Sequence, residues 1–264
     1  MIGLRIISAL VMGTITIAAF WKGGDTLAGM LAIVAAIGVD EWVRLVEPEC
    51  SRLERSIAAT TMFVAILLPR LLGYPSGVGA LFLLAALVAG IARLTGAVHP
   101  VRLAVGLIYV GLGAVALSFV RTVPGAGPYL VLYVLLVVWA TDIGGYMVGK
   151  TLGGPKLAPL VSPRKTWSGA LGGILMAVLA AGLLAYAYPS RQIFAMLGLA
   201  AFLSMASQLG DLMESAIKRR YNVKDSGAII PGHGGILDRV DGLLFAAPIF
   251  ALWQMSFGEM YPWW

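Results

Sequence analysis

Charge is what this chain has least of. Only 12% of its 264 residues are Asp, Glu, Lys or Arg, against 59% that are hydrophobic. That balance excludes a water-soluble globular protein, whose surface needs far more polar cover. Little sequence remains between the apolar runs, so no separate soluble domain is expected. Cysteine is reduced to Cys50, which excludes an intrachain disulfide and argues against redox chemistry. Internal repeats and low-complexity tracts are absent. The net charge of +6 does not point to nucleic acid, because the basic residues are spread over short loops and have a topological explanation.

What the chain has instead is apolar runs of membrane-spanning length, each about 20 residues. Nine are read: 2–21, 25–45, 57–74, 76–94, 101–120, 127–148, 168–188, 191–217 and 241–258. The third and fourth leave almost no loop between them, at Tyr74, Pro75 and Ser76. The fold class is therefore all-α, a polytopic membrane protein of about nine transmembrane helices. The first run, behind Arg5, reads as an uncleaved span, because it continues into further spans.

Lys and Arg fix the orientation. Fifteen of the nineteen fall at the N-terminus or in the even-numbered loops, and only Lys22, Arg70, Arg121 and Arg191 fall on the other side. The positive-inside rule then places the N-terminus in the cytoplasm. The terminal Tyr261, Trp263 and Trp264 fall on the outer side, where aromatic anchors suit the interface.

Residues 1–126 read as a transmembrane scaffold, and 127–264 as a catalytic region with its site towards the cytoplasm. In the first, the mixed-charge run Asp40, Glu41, Arg44, Glu47, Glu49, Arg52, Glu54 and Arg55 reads as a solvated helix end. His99, beside Pro100, reads as a loop residue at the membrane surface.

The second region gathers its charges. Ionisable groups near lipid are costly and mark function by default. Ser204, Gln208, Asp211, Ser215 and Lys218 recur every three or four residues and share one helical face, with Glu214 beside them. Ser204 and Gln208 suit hydrogen bonding between helices. Asp211 needs a cation and is read as catalytic or metal-linked. Asp238 and Asp241, three apart in Asp-Arg-Val-Asp, begin the last span. Acidic residues there complement the helix dipole, and as a pair they suit Mg²⁺ held through substrate phosphates. A second metal ion would suit the same chemistry. Asp142, at the end of the sixth span, is a further candidate ligand, as is Glu214. His233, set among Gly232, Gly234 and Gly235, lies in a turn whose N–H groups could wrap phosphate, with the imidazole as an added donor. Ser162, Arg164, Lys165 and Thr166 form a Ser-Pro-basic-basic-Thr cluster suited to an anion.

At these residues the sequence resembles the phosphatidate cytidylyltransferase (CDP-diacylglycerol synthase) family. The resemblance rests on Ser215, Lys218-Arg219, Lys224-Asp225, His233-Gly234-Gly235 and Asp238-Arg239-Val240-Asp241, a 27-residue segment with matching spacing throughout. The Gly-Asp-Leu-Met-Glu-Ser, Ser-Pro-Arg-Lys-Thr-Trp and Asp142 segments extend it over roughly 140–245. One departure is Ser168, where relatives often carry an acidic residue.

The resemblance implies that CTP and phosphatidate give CDP-diacylglycerol and pyrophosphate, for phospholipid biosynthesis. It implies catalytic roles for Asp211, Lys218, Asp238 and Asp241, and substrate binding by Ser215, Arg219, Lys224, Asp225, His233, Gly234, Gly235 and Arg239. It also implies Mg²⁺, a membrane lipid as partner, a homodimer, and a bacterial-type inner (plasma) membrane with the site facing the cytoplasm. The rival readings are a CTP-dependent polyprenol or dolichol kinase and a transporter. A CDP-alcohol phosphotransferase is disfavoured, because its motif continues with Ala-Arg and two further Asp residues, where this chain has Phe245-Ala246 and no later Asp. Transport predicts charges at the midplane, whereas these gather towards one face.

Overall fold

Helix follows helix in the computed structural model, which describes residues 2–94, 96, 99–188, 192–230 and 234–258. The order is α1 (Ile2–Lys22), α2 (Gly24–Val46), α3 (Arg52–Leu72), α4 (Tyr74–Leu94), α5 (Pro100–Arg121), α6 (Gly127–Leu152), β1 (Lys156–Ala158), β2 (Ser162–Thr166), α7 (Trp167–Ala187), α8 (Ile193–Arg220) and α9 (Leu237–Phe257). Among the described residues, α2 to α9 are long and apolar enough to cross a membrane, and α1 adds an apolar run over Leu10–Lys22. Helices satisfy their own backbone groups, which hydrocarbon cannot do for them. The all-α polytopic reading therefore holds. His233 and the aromatic residues Tyr261, Trp263 and Trp264 lie outside the described residues.

Two boundaries have identifiable causes. α3 starts at Arg52, five residues ahead of the expected 57, because Ser51 and Glu54 form a capping box. Glu54 N–H donates to Ser51 Oγ at 3.2 Å and Ser51 N–H to Glu54 Oε2 at 2.9 Å. Between α3 and α4 a single residue suffices, because Gly73 turns at φ 81°, a conformation that other residues rarely adopt.

The chain forms two compact units. The first comprises Met1–Phe119 with Tyr221–Val240, and the second Val120–Arg220 with Asp241–Trp264. The segment Tyr221–Val240, grouped by sequence with the C-terminal region, thus folds with the N-terminal helices.

In the first unit α2 is the central element. Leu27, Leu31, Ala35, Val39 and Trp42 are buried along it. The Trp42 ring lies against Gly106 of α5, where a Cβ would collide with it, and its indole N–H donates to Arg102 O at 2.9 Å. A buried indole needs such a partner. The Tyr221 ring lies under the Arg102 guanidinium at 5.8 Å, which ties the returning segment to α5.

In the second unit α6 and α7 meet along a seam of small residues. Gly144 admits the Met176 side chain and Gly172 admits Val148, so the backbones approach as membrane helices do when small residues line the contact. Tyr133 donates to Met196 O at 2.6 Å and Gln208 Nε2 to Ala170 O at 3.2 Å, which bonds α8 to α6 and α7. Ser204 lies 2.8 Å from Thr141 Oγ1. Ser204 and Gln208 thus serve the interhelical bonding expected of them. The stretch between α6 and α7, expected as a loop, contains the antiparallel hairpin β1–β2, with Lys156 opposite Thr166 and Ala158 opposite Ser162.

Candidate functional site

The second unit brings carboxylates together from three helices. Asp142 lies on α6, Asp211 and Glu214 on α8, and Asp241 on α9. Asp241 is within electrostatic reach of the other three. Like charges gathered where water is scarce require cations, and two lysines answer here. Lys165, carried in by β2, pairs with Asp211. Lys218, one turn beyond Glu214 on α8, donates to Glu214 Oε1 at 3.1 Å.

The two pairs differ in kind. Lys218 and Glu214 are both buried, with Glu214 1% exposed. Removing one partner of such a pair costs about 3–5 kcal/mol, because it strands a buried charge. Lys165 and Asp211 keep 26% and 30% of their side-chain surface. That pair is half-buried and stands closer to solvent than the pair of Lys218 and Glu214.

The remaining expected residues of this unit fall around the pairs. Ser215 Oγ donates to Asp211 Oδ1 at 3.3 Å. Thr166 is buried as the N-cap of α7, and its Oγ1 accepts from Gly169 N–H at 3.1 Å. Arg164 and Arg219 are exposed, and Ser162 is half-buried. Ser168 donates its hydroxyl to Gly153 O and lies 2.9 Å from Thr166 Oγ1, so it closes the base of the hairpin. A carboxylate at that position could not donate to the carbonyl.

The first unit holds the second half of the motif. Gly234 turns at φ 84°, and Ile230 N–H donates to its carbonyl at 2.9 Å. Asp238, in the first turn of α9, reaches back into this turn. Its Oδ2 accepts from Ser226 N–H at 2.9 Å and from Gly235 N–H at 2.9 Å, and stands 3.0 Å from Ser226 Oγ. A Cβ at Gly234 would sit 2.9 Å from that oxygen. The glycines therefore admit a protein carboxylate to the backbone. Lys224, Asp225 and Arg239 are exposed around the turn. The expected role of His233 falls outside the described residues.

One residue expected to be solvated is not. Glu41 of α2 is 5% exposed. Its Oε1 accepts from Ile236 N–H at 3.0 Å, and its Oε2 accepts from Leu237 N–H at 3.0 Å and stands 3.1 Å from Ser226 Oγ. The rest of that run behaves more as expected: Asp40 pairs with Arg44 at 2.6 Å and Arg55 at 3.7 Å, and Glu49 is exposed. The signal that could have singled out Glu41 is the need of α9 for partners at its N-terminal N–H groups.

The donor chemistry of these carboxylates is of the kind Mg²⁺ takes. Hard oxygen ligands converge in the second unit, although among the described residues no three His, Cys, Asp or Glu side chains form a ready-made cage. Mg²⁺ uses one or two carboxylates, with water and substrate phosphate completing its shell, so it does not demand such a cage.

Residues 3–257 match the family model described as the cytidylyltransferase family. A phosphatidate cytidylyltransferase of Brucella suis biovar 1 (strain 1330) is 41% identical over 267 residues, covering 97% of this chain and 94% of that protein. One of Bacillus subtilis (strain 168) is 47% identical over 143 residues, 53% of each chain. One of Staphylococcus aureus (strain COL) is 42% identical over 142 residues, 53% of this chain and 54% of that protein. With a family match along nearly its whole length, this chain belongs to the cytidylyltransferase family.

Proposed function

We propose that the protein transfers the cytidylyl group of CTP to phosphatidate, giving CDP-diacylglycerol and pyrophosphate for phospholipid biosynthesis. The observation that carries this reading is the convergence of Asp142, Asp211, Glu214 and Asp241 with Lys165 and Lys218, in a chain of this family. A phosphate oxygen of phosphatidate forms a bond to the α-phosphorus of CTP. The bond from that phosphorus to the β-phosphate oxygen breaks, and pyrophosphate departs with the electron pair. The nucleophile is already ionised, so no strong general base is needed. Positioning and charge neutralisation dominate such chemistry.

Lys165 exchanges Asp211 for a substrate phosphate, and Arg164, Lys218 and Arg219 add positive charge. Ser162, Thr166 and Ser215 orient the groups beside them. Lys224, Asp225, His233, Gly234, Gly235 and Arg239 are assigned to substrate binding by the family resemblance. Asp211 and Asp241 would hold Mg²⁺, with Asp142, Glu214 and Asp238 as further candidates and a second ion compatible with the set. Charge neutralisation on the phosphates is what the ion supplies when bound.

The same reading makes phosphatidate in the bilayer the lipid partner, and places the protein in the inner membrane with its site towards the cytoplasm, where CTP is available. The distribution of Lys and Arg supports that orientation. The homodimer is supported by family resemblance alone. In detergent with CTP and Mg²⁺, the purified protein should release pyrophosphate only when phosphatidate is added, with CDP-diacylglycerol formed in equal amount. CDP released in the presence of a polyprenol, with no pyrophosphate from phosphatidate, would replace this reading with the kinase one.

A further inference from the structure

We propose that Glu41 is a positioning residue for this reaction, acting from the N-terminal region on the glycine turn and the start of α9. The inference rests on the reading that this turn belongs to the substrate-binding machinery. Three observations lead to it. Glu41 is a buried carboxylate in a membrane protein, where an ionisable group without a task is disfavoured. Both its oxygens point at one feature: Ile236 and Leu237 N–H groups at the start of α9 and the hydroxyl of Ser226. The backbone around it is cut away to make room, since a Cβ at Gly227 would lie 2.5 Å from Oε1 and one at Gly235 2.5 Å from Oε2.

Ser226 links this carboxylate to the motif. Its hydroxyl carries one proton and stands between Glu41 Oε2 at 3.1 Å and Asp238 Oδ2 at 3.0 Å. Asp238 Oδ2 already accepts two backbone N–H groups, from Ser226 and Gly235. The hydroxyl proton is therefore better used on Glu41. Glu41 holds the far side of the turn while Asp238 holds the near side, and Ser226 fixes the spacing between them. Gly234, Gly235 and Asp238 then reach substrate in one arrangement, set by a residue that touches no substrate itself. Removing a group that orients a site in this way costs on the order of 10–100-fold where such partners stand behind metal ligands.

The test pairs kinetics with amide exchange in the full-length protein. Glu41→Gln keeps the shape and one carbonyl acceptor but loses the second acceptor and the charge. It should insert normally and lower kcat/KM on the order of tenfold, and Glu41→Ala on the order of a hundredfold. Hydrogen exchange of the Ile236 and Leu237 amides should speed up in both, and Ser226→Ala should add little to the loss in Glu41→Ala, because the two act through one contact. Glu49→Gln, at a neighbouring exposed carboxylate, should change neither readout. Wild-type kinetics together with unchanged exchange in Glu41→Gln and Glu41→Ala would overturn the proposal. Faster exchange with unchanged cytidylyl transfer would show that Glu41 holds the turn but that the turn does not serve catalysis, which also overturns it. If the wild-type protein makes no CDP-diacylglycerol, the reaction reading fails instead, and the exchange data report on that separately.

Discussion

Asp238 carries two demands on one carboxylate. Sequence spacing makes it a candidate Mg²⁺ ligand, and the structure uses its Oδ2 to gather Ser226 and Gly235. Asp238→Asn separates the two. The amide retains an oxygen of the right shape for the turn, but it has no charge for a metal or for charge-assisted bonds. We expect a folded, inserted protein whose turnover falls by on the order of a hundredfold or more, as for loss of ~2.7–4 kcal/mol of electrostatic stabilisation. Near-normal turnover would take Asp238 out of the metal set and leave it as a clamp. Part of the arrangement was legible at this scale. Asp211 and Lys218 share a helical face, so local periodicity finds them, whereas Asp238 and Asp241, three apart in sequence, turn to different partners. Glu41 was not legible, because its partners lie 185 to 196 residues away and only the fold brings them near. The solvated reading took it together with neighbours such as Asp40 and Glu49, which differ from it only in where their side chains lead.

Elements carry these residues to their places, and the hairpin β1–β2 is the instructive case. Its strands are three and five residues long. Strands that short, one of them containing Pro163, give no usable alternation, which is why the segment reads as a loop. The hairpin nevertheless presents Lys165 to Asp211 on α8. If the Ser162–Thr166 charges only set topology, replacing Lys165 by Arg changes nothing, since both count as positive-inside. If Lys165 exchanges Asp211 for a phosphate, shape matters, because a guanidinium fork and a point ammonium are not interchangeable. Lys165→Arg should raise the apparent KM for CTP or phosphatidate, or lower turnover, on the order of tenfold, as expected when one charge-assisted contact worth ~1.5–3 kcal/mol is weakened. Unaltered kinetics at matched expression would return Lys165 to a topological role. The capping box at Ser51 and Glu54 teaches the opposite lesson. The Ser-x-x-Glu signal is in the sequence, but it lies ahead of the first long hydrophobic stretch of that helix.

For the whole molecule, hydropathy is the strongest signal in the chain, because about 20 apolar residues in a row have few places to go except a bilayer. The helix order follows from it directly, whereas the return of Tyr221–Val240 to the N-terminal unit depends on contacts that no local pattern records. Orientation depends on a charge count and can be tested with single cysteines. Leu160, at the tip of the hairpin, is 93% exposed, and Pro124, between α5 and α6, is also exposed. The intervening α6 is long and apolar enough to cross the membrane once, so the two positions should lie on opposite sides. The native Cys50 leaves a low background. Burial, with the Glu54 carboxylate 3.5 Å from its sulfur, pushes the thiol up from 9.0 to about 11. Only the thiolate reacts, so near neutral pH Cys50 offers roughly a hundredfold less reactive sulfur than an unperturbed thiol, and its labelling should rise about tenfold per pH unit until pH approaches that value. With intact cells at pH 7, a membrane-impermeant maleimide should label Pro124→Cys and spare Leu160→Cys. Permeabilised cells should label both. Labelling of Leu160→Cys alone in intact cells would invert the topology and put Lys165 and Asp211 on the side away from CTP. The proposed reaction could not survive that result.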